Sequence, residues 1–165
     1  MQAMKAPAPA SPDPVPRAAA AARRHRCREE DVFVNLMRTA DFLARRVAQV
    51  LAGAGISPTQ YNVLRILRGA PDGLGCSEIA RRMITRDPDM TRLLDRLERR
   101  GLIERRREAH DRRQVTSRIR PAGRGLLDKL DAPIAAAHRA QLGHLGRARL
   151  EALTRLLEAA RAPGP

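Results

Sequence analysis

Gly101 separates two patterns that place tight limits on the fold. The surrounding stretch, Asp87 to Arg120, reads DPDMTRLLDRLERRGLIERRREAHDRRQVTSRIR. Before Gly101, Met90, Leu93, Leu94 and Leu97 recur at helical spacing, while Thr91, Arg92, Asp95, Arg96 and Arg99 point the other way. Pro88 disfavours the α conformation at the residue before it, so the spacing predicts Asp87 as N-cap and Pro88 at the first helical position. Gly101 supplies the stop. After it, LIERRR reads as a strand, EAHD as a polar turn, and RRQVTSRIR as a returning strand with Val115, Ser117 and Ile119 on one face. Asp111, Arg112 and Arg113 then sit at the hairpin tip.

The residues upstream supply the remaining parts of a compact lobe. Ser57 and Pro58 open a helix, as N-cap and first position, that runs to about Arg68 and buries a combination of Tyr61, Val63, Leu64, Ile66 and Leu67. Gly69 to Gly75 reads as a loop. Ser77 is expected to cap a short helix from Glu78 to about Ile84, and Thr85 and Arg86 make the turn into the next one. Two short helices joined by a few residues, the second basic on its exposed side, form a helix-turn-helix. With the hairpin, the pattern is a winged helix-turn-helix, and the expected class is mainly α with a small β-hairpin wing. An amphipathic helix with arginines outside is by itself usually a solvated surface helix; the short helix before it and the hairpin after it carry the nucleic-acid reading. Arginine suits both places, because its planar fork binds phosphate or guanine bidentately and fits a narrow minor groove.

Charge agrees with this layout. The formal net charge of the 165 residues is +14, and all basic residues except Lys5 and Lys129 are arginine. Residues 56–120 carry a net +7, residues 29–55 a net −1, and residues 121–165 a net +3. Within the part expected to fold, positive charge concentrates where the helix and hairpin lie, as expected of a protein that meets phosphates. A compositional bias towards arginine would raise this charge too, so each arginine is not counted as a contact.

The flanks read differently. Residues 1–28 hold five prolines in the first 16 positions, then alanines and the basic run RRHRCR, and are expected to be a disordered tail. Residues 29–52 form a long helix whose apolar residues, Phe33 through Leu51, make a stripe wide enough to face a second subunit in part. Residues 121–161 read as two more helices, with Pro133 expected to kink or divide the first. No apolar run approaches the roughly 18–20 residues that span a bilayer. Two cysteines, Cys27 and Cys76, make neither a disulfide framework nor a metal cluster. The expected setting is the cytoplasm, at the nucleoid, with no membrane contact.

The runs ISPTQYNVLRIL, CSEIARRM, TRLLDRLERRGLIERR and HDRRQVTSRIRPAGRGLL closely resemble the MarR family of bacterial transcription regulators, in unbroken order over about residues 30–135. The resemblance implies a homodimer, with the recognition helix in the major groove of an operator and the wing arginine in the minor groove. Residues 29–161 would form the MarR-like domain, with 56–120 as the DNA-binding lobe and 29–52 and 121–161 as dimerisation helices. It also implies that a small ligand or oxidation weakens DNA binding. In several members an acidic residue just before the recognition helix braces the wing arginine. Here that place is Arg86, so Arg113 is expected to lean on Asp111 or Asp87.

The expected DNA-binding residues are Ser77, Arg86, Thr91, Arg92, Arg96, Asp111, Arg112 and Arg113, with Ser77 and Arg86 on phosphate. By the resemblance, a ligand pocket would lie near Phe42, Tyr61 and Arg65, although core packing is the commoner role for Phe42 and Tyr61. The four histidines lack metal-ligand spacing, and no Ser/His/Asp set, HExxH motif or Gly-rich phosphate loop occurs, so neither a metal, a cofactor nor an enzyme is expected. Cys27, among basic residues, is more simply an incidental free thiol than a redox sensor. The expected function is a dimeric regulator, a repressor of a pseudo-palindromic operator relieved by a small ligand. The alternative is an architectural protein that coats DNA with little sequence choice.

Overall fold

In the computed structural model, residues 27–85, 87–107 and 115–162 are described. The elements are α1 (Arg28–Gly53), α2 (Pro58–Arg68), β1 (Leu74–Gly75), α3 (Cys76–Arg82), α4 (Met90–Arg99), β2 (Ile103–Arg107), β3 (Val115–Ile119), α5 (Pro121–Leu142), a 3-10 turn (Gly143–Leu145) and α6 (Gly146–Ala159). The fold is mainly helical with a small antiparallel sheet. The chain divides into two compact units, Met1–Ala40 and Asp41–Pro165. In the first, the described residues are Cys27 and the N-terminal part of α1, where Glu29, Glu30 and Asp31 complement the positive end of the helix. Val32, Phe33, Leu36 and Met37 there are exposed.

The second unit holds the core. Helix α2 starts in a capping box: the Gln60 amide donates to Ser57 Oγ at 3.2 Å, and the Ser57 amide donates to Gln60 Oε1 at 3.1 Å. It buries Tyr61, Val63, Leu64 and Leu67, and Ile66 is half-buried. These residues pack with Leu51, Ile79, the α4 stripe Met90, Leu93, Leu94 and Leu97, the strand residues Ile103 and Ile119, and Leu127, Leu130 and Ile134 of α5. One core therefore joins the winged lobe to α5.

The sheet has the order β1-β3-β2. Ile103 pairs with Ile119 and Arg107 with Val115, and on the other side of β3, Leu74 pairs with Ser117. The 69–75 segment, expected to be wholly loop, thus contributes a two-residue strand. Two residues are too few for a hydrophobic alternation to register. The predicted alternation of the returning strand holds: Ser117 and Ile119 are buried and Val115 is half-buried.

Three further expectations need correction. Helix α4 is capped by Asp89, whose Oδ1 accepts from the Arg92 amide at 3.2 Å. Asp87 instead accepts from the Asp89 amide at 2.9 Å and closes the turn before the helix, with Pro88 inside that turn. Ser77 does not cap α3: the N-cap is Gly75, without a side-chain bond, and Ser77 lies exposed inside the first turn. Of the two outcomes expected at Pro133, a kink or a division, division does not occur: α5 runs unbroken from Pro121 to Leu142. Its neighbour Ile134 is buried in the core, so packing holds the helix through the missing hydrogen bond.

Two anchors join α5 to the lobe. Gly123 lies so close to the end of α4 and the sheet that an added Cβ would meet the Leu102 carbonyl oxygen at 2.3 Å and Ile119 Cγ1 at 2.9 Å. About two turns further along the helix, Arg68 of α2 binds Asp131 bidentately, at 2.8 and 3.0 Å, with Asp128 3.7 Å away. The hydrogen bond from Arg68 holds the Asp131 carboxyl below its ordinary range.

Gly123→Ala should destabilise the protein by about 1–3 kcal/mol in urea unfolding. Gly125→Ala, where an added Cβ meets nothing within 4 Å, should stabilise it by about 0.5–1 kcal/mol. A group whose pKa is depressed by folding stabilises the native state above its unfolded pKa, and that contribution is lost as pH falls through the folded value. The stability gap between the wild type and Asp131→Asn should therefore be constant near neutrality and close as the pH falls below about 4.

Candidate nucleic-acid interface

Burial of one face of α4 decides what its other face presents. With Met90, Leu93, Leu94 and Leu97 in the core, Thr91, Arg92, Arg96 and Arg99 are exposed along the outer side. Arg92 pairs with the capping Asp89 at 3.2 Å. Arg96 donates its Nε to the Arg92 carbonyl oxygen at 3.2 Å, which draws its guanidinium back towards the helix start. Thr91, Arg92 and Arg96 thus gather at the N-terminal half of the helix, the end a helix-turn-helix directs at base edges.

The segment before α4 is pinned from two sides. The Met83 amide donates to the Ala80 carbonyl at 3.3 Å, closing α3. The Ile84 amide donates to Asn62 Oδ1 of α2 at 2.9 Å. Arg81 and Arg82, both exposed, share Glu78 within α3. At the other end of α4, Gly101 takes a positive φ of 67°, its amide donates to the Glu98 carbonyl at 2.8 Å, and the Leu102 amide donates to the Leu97 carbonyl at 3.0 Å. This paired closure turns the chain directly into β2.

Strand β2 is also tied to α4 by side chains that the sequence pattern did not single out. The Arg105 amide donates to Glu98 Oε1 at 3.0 Å. The Arg105 guanidinium forms an ion pair with Asp95, and its Nε is buried without a partner. Helical spacing alone groups Asp95 with the outward residues. The pair bridges ten positions across a turn, so no helical or strand periodicity marks it.

Of the other expected site residues, Ser77 is exposed on α3. Arg86, Asp111, Arg112 and Arg113 lie outside the described residues, and so does the expected brace of Arg113. Tyr61 is buried on α2, with the exposed Arg65 guanidinium 5.9 Å from its ring centroid. Phe42 is 63% exposed on α1 and takes no part in the core cluster. Cys27 is exposed, and its Sγ accepts from the Glu30 amide at 3.4 Å at the start of α1. Among the described residues, no His, Cys, Asp and Glu cluster could hold a metal ion, and no helix is long and apolar enough to cross a membrane.

Removing the carboxylate that faces Arg105 should free β2 before it unfolds the core. Asp95→Ala should accelerate amide hydrogen exchange in residues 103–107 by about three- to tenfold, while exchange in α2 stays near its original rate.

The MarR family model matches residues 56–115, the segment from the residue before the capping box to the start of β3. The HTH-type transcriptional regulator TtmR of Methylorubrum extorquens is 36% identical over 92 residues, which cover 56% of this chain and 47% of TtmR, so the alignment spans about half the length of that relative. The crystal structure of a MarR transcription factor from Planctomyces limnophilus is 36% identical with a TM-score of 0.63, and the match covers 82% of this chain and 99% of that one. CouR of Rhodococcus jostii RHA1, bound to p-coumaroyl-CoA, is 25% identical with a TM-score of 0.71 over 83% of this chain and 96% of its own. The transcriptional repressor CouR bound to a 23-mer DNA duplex is 29% identical with a TM-score of 0.70, covering 78% and 90%. The sequence match falls on the helices, cap and hairpin strand that form the candidate interface, the fold match extends across nearly the whole of the related chains, and the protein belongs to the MarR family.

Proposed function

We propose that the protein is a homodimeric DNA-binding transcriptional regulator that represses from a pseudo-palindromic operator and is released by a small ligand. The observation that carries this reading is α4: its apolar stripe is buried, and Thr91, Arg92 and Arg96 stand exposed at the end that enters a groove. In this reading those three residues meet base edges and phosphates, Ser77 and Arg86 hold phosphate, and Arg112 and Arg113 at the wing tip, with Asp111 beside them, enter the minor groove. The DNA-bound repressor CouR supports the DNA partner.

Residues 29–52 and 121–161 act as the dimerisation helices, with 56–120 as the DNA-binding lobe. Supporting this assignment, exposed large apolar residues fall on α1 (Val32, Phe33, Leu36, Met37, Phe42) and on α6 (Leu153, Leu156). Patches of this kind on a folded chain mark surfaces that a partner covers. Dimer symmetry then sets two half-sites about one DNA turn apart. A ligand site that includes Phe42, Tyr61 and Arg65 is supported by the cation over the Tyr61 ring and by the acyl-CoA complex of CouR.

The test is fluorescence anisotropy on a duplex taken from the region upstream of the protein's own gene, with excess nonspecific competitor at near-physiological salt. A discrete complex of a dimer that survives competitor is expected. Arg113→Ala should lower affinity about tenfold and leave the dimer intact in sedimentation. Binding that disappears with competitor or modest salt would replace this reading with that of a coating protein held by phosphate contacts alone, for which the +14 charge is suited.

A further inference from the structure

Among the described residues, the exposed large hydrophobic side chains lie on α1 and α6 with one exception, Ile84, which is 85% exposed in the turn between α3 and α4. A single exposed hydrophobe is ordinary on a protein surface, so exposure alone decides nothing. Its setting does. The Ile84 amide is held by Asn62 Oδ1 at 2.9 Å, so α2 of the core fixes the backbone from which the side chain projects. The residue before it, Met83, is half-buried against the core, and the residue after it, Thr85, is exposed. The turn therefore holds a branched apolar group outward on a short, anchored tether, five residues ahead of the Asp89 cap and the exposed Thr91 and Arg92.

We infer that Ile84 is a specificity-determining residue that packs on the C5-methyl group of a thymine in the major groove, an inference that rests on the DNA-binding reading above. In a helix-turn-helix the N-terminal residues of the second helix contact base edges, and the turn that holds Ile84 leads directly into them. The thymine methyl is the apolar feature of a base edge in that groove, and an apolar side chain is its complement. A phosphate contact needs a donor; Ile84 has none on its side chain, and its backbone N–H is already used by Asn62. The arginines and Thr91 then supply hydrogen bonds and charge, while Ile84 rejects cytosine, which lacks the methyl group, at one position of each half-site.

The experiment uses the full-length protein and an operator found by in vitro selection. Each thymine is replaced singly by deoxyuridine, which removes only the methyl group. Affinities are measured for the wild type, Ile84→Ala and Ile84→Val. One thymine per half-site is expected at which deoxyuridine weakens the wild type by about three- to tenfold. It should not weaken Ile84→Ala, and Ile84→Val should retain part of the effect. Unchanged melting of both variants separates this from misfolding. Sequence-selective binding with the same deoxyuridine profile in the wild type and Ile84→Ala, or with no sensitive thymine, overturns the inference while leaving the regulator reading in place. A wild type that selects no sequence overturns both.

Discussion

Burial of four residues of α4, Met90, Leu93, Leu94 and Leu97, sets the rotation of that helix about its axis. Each is nearly or wholly removed from water, and each fully buried side chain of this kind contributes about 1.5–3 kcal/mol. Turning the helix far enough to swap faces would expose this stripe and press guanidinium groups into the core, a cost larger than the whole stability of an ordinary domain. The outward presentation of Thr91, Arg92 and Arg96 follows from that constraint. The interface needs no separate device to display those groups, because the core already excludes the alternative.

The same core reaches beyond the lobe. Leu127, Leu130 and Ile134 of α5 belong to it, and Gly123 lets that helix approach the Leu102 carbonyl and Ile119 so closely that no side chain fits. The Arg68–Asp131 pair holds α2 against the next turns of α5. The same helix α2 carries Asn62, the anchor of the turn ahead of α4. Helices α2 and α5 are thus joined by packed side chains and one ion pair rather than by a flexible linker.

Strand β2 and helix α4 form a second rigid joint. The paired closure at Gly101 sets the path of the chain, and Asp95 and Glu98 each hold Arg105. The base of the wing is thereby fixed relative to the helix that carries the exposed arginines. The hydrogen bond to the Arg105 amide uses backbone, so its geometry does not depend on a side-chain rotamer at that position.

Local signals in the sequence determined much of this protein. Ser57-Pro58 opens α2, Gly101 ends α4, the four-residue stripe of α4 is buried as spaced, and the alternation of Val115, Ser117 and Ile119 describes β3. These features depend on residues within a few positions of one another, and the family resemblance rests on the same runs. Tertiary structure decided the rest. Asp87 and Asp89 are equally able to cap a helix, and only the fold of the turn selects Asp89. Pro133 opposes a continuous helix locally, yet burial of Ile134, Ala137 and the preceding leucines keeps α5 whole. Strand β1 exists because β3 offers it a ladder, and the pairs Asn62–Ile84, Arg68–Asp131 and Asp95–Arg105 join positions that no helix or strand period relates. A chain displays its local propensities in its spelling, whereas contacts between distant residues form only when a shared core brings them together.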